Sequence, residues 1–185
     1  MGRPKAELKF GTSTLLGRIA AELRLVFHDI VLVTAPAGLA GEEHFTDLRI
    51  VRDEREYEGP LPALALGLSA IRNGGAFVCS CDLPLLRGAV ASSLCGMLER
   101  FDAVVPEIAG LAQPLHAVYR KRCIAALNSM SARGEHRLVE IVRAGSVRTV
   151  GEKELRAIDP DLRSFTNVNT PQDYQRALQL ILESR

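Results

Sequence analysis

The chain has 185 residues, 47% of them hydrophobic and 24% charged, with 23 Lys and Arg against 22 Asp and Glu for a formal charge of +1. This balance excludes a disordered scaffold and a net positive field for nucleic acid or membrane surfaces, and the length fits one domain, residues 1–185, burying roughly 70% of its unfolded surface. No apolar run approaches the ~20 residues of a spanning helix, and the polar start MGRPKAELKF lacks the apolar core of a secretory signal.

Thr12 or Ser13 is placed to cap a helix carrying Leu16, Ile19, Ala20, Leu23 and Phe27 at helical spacing. The continuous apolar run from Ile30 to Thr34 is a strand covered on both faces, and Leu48 to Arg52 is a second. Leu61, Leu64, Ala65, Leu68 and Ile71 mark a helix that Asn73-Gly74-Gly75 ends. Ala76 to Ser80 is a buried strand, and Arg87 to Phe101 reads as helix with Leu94, Met97, Leu98 and Phe101 on one face. Ala103 to Val105 and Leu115 to Tyr119 are strands joined by a turn at Gly110, which adds an antiparallel hairpin. Helices near Cys123–Met130 and Leu138–Val142, a strand at Ser146–Val150 and an apolar run at Phe165–Asn169 follow. The last helix has Thr170 as N-cap, Pro171 at its first position and Asp173 three after the cap, then Tyr174, Ala177, Leu178 and Ile181 as its stripe. Alternating strands and helices predict an α/β fold, a mostly parallel sheet with helices on both faces. Cys79, Cys81, Cys95 and Cys123 lack redox or zinc spacing, so they read as reduced core residues of a cytoplasmic protein.

In such folds ligands sit outside the carboxyl ends of the strands, so polar residues after the apolar runs carry the functional information. Asp82, in Cys81-Asp82-Leu83-Pro84, is placed to hold Mg2+ against substrate phosphates; the same residue type also serves as a plain turn or cap. Gly59-Pro60-Leu61 opens a helix whose free N–H groups suit an anion, or is an ordinary loop-to-helix turn. Asn167 and Asn169 flank one apolar residue, so on an extended segment both amides face one side. They either orient a ligand or metal shell or simply form turns. Gly2-Arg3-Pro4-Lys5 sets two cations where they suit phosphate oxygens, or is a solvated terminus. The four histidines are scattered, and no G-x-S-x-G, Walker loop or full G-x-G-x-x-G occurs.

The order of these signals is more telling than any one of them. Residues 1–5 (MGRPK), Thr14-Leu15-Leu16, Asp53, Gly59-Pro60-Leu61, Cys81-Asp82-Leu83-Pro84, Gln113-Pro114-Leu115 and the run from Asn167 to Asp173 (NVNTPQD) together resemble the molybdenum cofactor guanylyltransferase family, the MobA-like nucleotidyltransferases. The resemblance implies a Rossmann-like, three-layer α/β/α nucleotidyltransferase fold. It implies GTP and Mg2+ as substrate and metal, and the molybdopterin cofactor as acceptor of GMP with release of pyrophosphate. By position, Gly2, Lys5, Asp53, Gly59 and Asp82 would bind nucleotide, Lys5 and Asp82 would be catalytic, Asp82 would hold the metal, and Asn167 and Asn169 would line the acceptor side. Transient contact with cofactor-delivery or acceptor enzymes is expected. The alternatives are transfer with CTP or to a sugar phosphate, and a degenerate, non-catalytic nucleotide-binding homologue. The family begins with a strand and a Leu-Ala-Gly-Gly loop, and Met1-Gly2 matches the end of that signature. The expectation is an internal methionine at position 1 in a longer natural protein; intact mass of the native product decides.

Overall fold

The computed structural model describes residues 5–54 and 59–183. A 3-10 turn at Lys5–Glu7 leads into a hairpin of β1 (Lys9–Phe10) and β2 (Ser13–Thr14), then α1 (Leu15–Arg24). The α1 cap is Thr14 rather than Thr12 or Ser13: its hydroxyl accepts the Gly17 N–H at 3.0 Å. The helix stops at Arg24, so Phe27 lies beyond its stripe. Next come β3 (Val31–Thr34), β4 (Arg49–Arg52), α2 (Pro60–Ala70), β5 (Gly75–Cys79) and α3 (Gly88–Gly96). Gly75, expected to end α2, instead begins β5. The helix expected through Phe101 ends at Gly96 because the chain turns out of helical geometry, with Glu99 at φ 29°. The chain continues through β6 (Ala103–Ile108), β7 (Leu111–Ala112), β8 (His116–Arg120), α4 (Cys123–Ala132), α5 (Ile141–Ala144), β9 (Val147–Gly151), α6 (Glu152–Leu155) and α7 (Pro171–Leu182). No strand forms at Phe165–Asn169; a 3-10 turn at Arg163–Phe165 runs into irregular chain there.

The architecture is α/β with helices on both faces of a mixed sheet. Leu61, Leu64 and Leu68 of α2 pack with Leu127 and Met130 of α4 on Ala103, Val105, Ala117 and Tyr119 of the sheet. On the opposite face Val90 and Leu94 of α3 meet Val104, Val118 and Val150, and Ile19 and Leu23 of α1 meet Leu86 and Ala91. α1 and α3 cross closely at Gly88, where a Cβ would stand 2.9 Å from the Glu22 carbonyl oxygen. β5, β6 and β9 run in one direction; β8 runs antiparallel between β5 and β6, with β7 beside β6, as the expected hairpin requires. No helix among the described residues is long and apolar enough to cross a membrane.

β3 and β4 pair in parallel as a separate two-stranded sheet. The Arg49 N–H donates to the Ile30 carbonyl and the Asp53 N–H to the Thr34 carbonyl, so Ile30, Leu32 and Thr34 turn their backbone groups towards β4. Val31 and Val33 therefore point theirs to the other edge. By the same parity, Ser80 and Gly74 bond towards β8, which leaves Gly75, Phe77 and Cys79 pointing away from it. Val31, Ala76 and Val78 pack on the same α2–α4 cluster, and Ile30, Phe77 and Cys79 on the same α1–α3 cluster. β3 and β5 thus lie between the same two helix layers, yet among the described residues no ladder joins their edges.

Candidate functional site

The carboxyl end of β5 is fixed from several directions. The Ser80 N–H continues the pairing with β8 by donating to the Leu115 carbonyl at 3.1 Å. Leu83, Leu85 and Leu86 are buried, and Arg18 of α1 donates its Nε–H to the Pro84 carbonyl at 3.0 Å. These contacts hold the Asp82 turn from below. Its backbone carbonyl accepts the Val168 N–H at 2.8 Å, and the Val168 side chain is fully buried on Phe10, Leu15, Leu85 and Ala177. Asn167 and Asn169 are left exposed on either side of Val168. The capping box of α7 fixes the next residues: the Thr170 hydroxyl accepts the Asp173 N–H at 3.1 Å, and Asp173 Oδ2 accepts the N–H groups of Thr170 at 2.8 Å and Asn169 at 3.0 Å. Those bonds hold the Asp173 carboxyl below its usual range, the Thr170 N–H having the largest effect.

The Lys5 ammonium lies across these two frames. Its Nζ donates to Asn169 Oδ1 at 2.5 Å and stands 3.5 Å from Asp82 Oδ2. The Ser80 hydroxyl donates to Asp82 Oδ1, so both carboxylate oxygens are engaged. The Asp82 side chain is 19% exposed and that of Lys5 35%, which leaves the pair open to a ligand from solvent. Burial first, and the neighbouring Asp82 second, push the Cys81 thiol pKa up, which disfavours its thiolate. Burial pushes Cys79 to about 12, and all four cysteines are free.

Among the described residues no three of His, Cys, Asp and Glu gather as a ready metal cage. The donors around Asp82 are oxygens: its own carboxylate, the Ser80 hydroxyl and the Asn169 amide. A single carboxylate with hard oxygen neighbours suits an ion of the magnesium type that takes its remaining ligands from phosphates and water. The ammonium held there already marks the position as one that accepts positive charge.

Lys5, Asp82 and Asn169, far apart in sequence, are therefore brought together. Asp53 sits at the end of β4, where its N–H donates to the Thr34 carbonyl at 2.8 Å. Gly59 caps α2 at φ 85°, a left-handed conformation that favours glycine, and Pro60 and Pro62 remove two donors from the first turn. Among the described residues no direct hydrogen bond or ion pair links Asp53 or Gly59 to Asp82. Gly2 lies outside the described residues. A surface cavity of about 440 Å³ opens elsewhere, lined by Met130, Arg133, Gly134, Glu135, Glu140 and Arg143, and none of the expected site residues lines it.

Sequence reasoning missed Ser80, which follows the last residue of β5 and meets Asp82 only because the chain turns there. It also missed His116. This imidazole packs against Phe77 of β5, centroids 5.2 Å apart, and Phe165, 4.3 Å apart, the two segments that lead to Asp82 and to Asn169. Both its ring nitrogens are buried without a hydrogen-bond partner among the described residues, and burial pushes its pKa down to about 3. No local pattern marks such a residue.

Comparison with known proteins shows the family and the fold. Residues 1–150 match the family model of the MobA-like NTP transferase domain. The chain is 32% identical over 186 residues to the molybdenum cofactor guanylyltransferase of Desulfosudis oleivorans, spanning 100% of this chain and 90% of that protein. Among solved structures it resembles molybdopterin-guanine dinucleotide biosynthesis protein A from Archaeoglobus fulgidus, with a TM-score of 0.85, 22% identity, and coverage of 98% of this chain and 92% of that one. It also resembles Rv0371c of Mycobacterium tuberculosis, solved in complex with manganese, with a TM-score of 0.66, 20% identity, and coverage of 96% and 93%.

Proposed function

The chain belongs to the MobA-like NTP transferase family, and we propose that it transfers GMP from GTP to the molybdopterin form of the molybdenum cofactor, releasing pyrophosphate. The observation that carries this reading is the meeting of Lys5, Asp82 and Asn169 at the carboxyl end of β5, the end of an α/β sheet at which ligands bind. A terminal phosphate oxygen of the acceptor attacks the α-phosphorus of GTP. The new P–O bond forms as the bond to the bridging oxygen breaks, and pyrophosphate leaves with that electron pair.

This reaction needs alignment and charge neutralisation more than proton transfer, which accounts for a site without a nucleophile–base pair. Asp82 would hold Mg2+, with the Ser80 hydroxyl fixing its carboxylate and the Asn169 amide oxygen beside it. When bound, the metal neutralises charge on the phosphates. Lys5 binds triphosphate oxygens and stabilises the charge that gathers on the leaving pyrophosphate. Asp53 and Gly59 flank the nucleotide from the β4 side, and Asn167 and Asn169 face the acceptor. The protein incubated with molybdopterin, Mg2+ and either GTP or CTP tests the reading. The guanine dinucleotide is the expected product; a cytosine dinucleotide, or no dinucleotide from either, would contradict it.

A further inference from the structure

We infer that Lys5 holds the cation position of the nucleotide-free protein, so that a divalent ion enters the Asp82–Asn169 site only together with nucleotide. The inference rests on the proposed reading of that site and adds an order of events to it. The ammonium nitrogen lies 2.5 Å from Asn169 Oδ1 and 3.5 Å from Asp82 Oδ2. An ion of the magnesium type bonds oxygen at about 2.1 Å, so one bonded to Asn169 Oδ1 would stand within about 4.6 Å of the ammonium nitrogen. Two positive charges that close repel strongly, and only one occupies the position at a time.

The two oxygens are the fixed partners. Asp82 is held through its carbonyl by Val168 and through its carboxylate by Ser80, and the Asn169 backbone is held through its N–H by Asp173. Lys5 is the partner able to move. It stands on a three-residue 3-10 turn, partly exposed, at the end of a flexible four-carbon stem. A triphosphate offers it better acceptors than one amide and a shared carboxylate. Drawing Lys5 onto the phosphates uncovers the two oxygens, and by linkage the ion and nucleotide then favour each other's binding equally.

Mn2+ titration followed by the electron paramagnetic signal of the free ion, without nucleotide, tests this on the full chain. Lys5→Met is expected to bind Mn2+ about tenfold or more tighter than wild type, while Lys5→Arg, which keeps the charge, stays as weak as wild type. The double variant Lys5→Met, Asp82→Asn is expected to lose the gain. Adding a GTP analogue with a methylene between the α- and β-phosphorus should raise wild-type affinity to the Lys5→Met level. Equal Mn2+ affinity of wild type and Lys5→Met, with or without detectable binding, would overturn the inference, as would a gain that survives Asp82→Asn. Should GMP transfer fail while the Lys5→Met gain holds, the proposed reaction falls and the inference stands; should transfer proceed without the gain, the reaction stands and the inference falls.

Discussion

The ammonium of Lys5 meets an amide oxygen 164 positions along the chain, a contact that no local pattern encodes. The residue types are legible in the sequence: a lysine near the start, an aspartate after a buried strand, and two asparagines around one apolar residue. Their meeting depends on Val168, whose buried side chain and N–H carry Asn169 to the Asp82 turn. Lys5→Ala is expected to lower kcat/KM about ten- to a hundredfold, because it removes a charge-assisted contact worth about 1.5–3 kcal/mol. Steady-state kinetics check this, and an unchanged kcat/KM removes Lys5 from the site. His116 is not legible at all, since its isolation arises only when Phe77 and Phe165 close around it. Its pKa falls from 6.5 in the unfolded chain to about 3 in the fold. Below pH 6.5 the unfolded chain binds the proton first. The His116 contribution is therefore complete above pH 6.5 and is lost as pH falls towards 3, with a slope of up to about 1.4 kcal/mol per pH unit. Urea denaturation from pH 7 to pH 4 should show a flatter acid limb for His116→Phe than for wild type; parallel limbs would contradict a histidine kept neutral by the fold.

Among the elements, α7 is the most legible, because its cap is local: Thr170, Pro171 and Asp173 specify it whatever packs against it. Thr170→Ala is expected to cost about 1 kcal/mol in chemical denaturation. The apolar rhythm predicts too long an α3, since Met97 and Leu98 keep that rhythm while packing on the core from a turn rather than a helix. The run from Phe165 to Asn169 misleads for a related reason: Val168 is buried like a strand residue, but its N–H bonds the Asp82 carbonyl instead of a ladder. The edges of β3 and β5 that no ladder joins among the described residues give a pattern that no composition reveals. Amide hydrogen exchange should be faster at Val31, Val33, Phe77 and Cys79 than at Leu32, Thr34, Ala76 and Val78, whose backbone groups face a paired neighbour. Uniform protection along both strands would contradict the parity assigned to them.

The alternation of strands and helices makes the α/β class readable from sequence, but not the division of the sheet, because pairing between distant strands leaves no trace in local periodicity. The same architecture separates stability from chemistry at Asp82. Its backbone carbonyl makes the tie to Val168, so removing its carboxylate leaves that tie in place. Asp82→Ala is accordingly expected to abolish transfer while circular dichroism and the unfolding midpoint stay near wild type; wild-type turnover would dismiss the metal role. The surface cavity between Arg133 and Arg143 offers a rival place for phosphates. A crystal grown with Mn2+ and the methylene-bridged GTP analogue decides between them through anomalous scattering. The expected peak lies at bonding distance from the Asp82 carboxylate, with the triphosphate against it and Lys5 turned onto the phosphates. A peak or triphosphate beside Arg133 and Arg143, with Lys5 still on Asn169, would contradict the account.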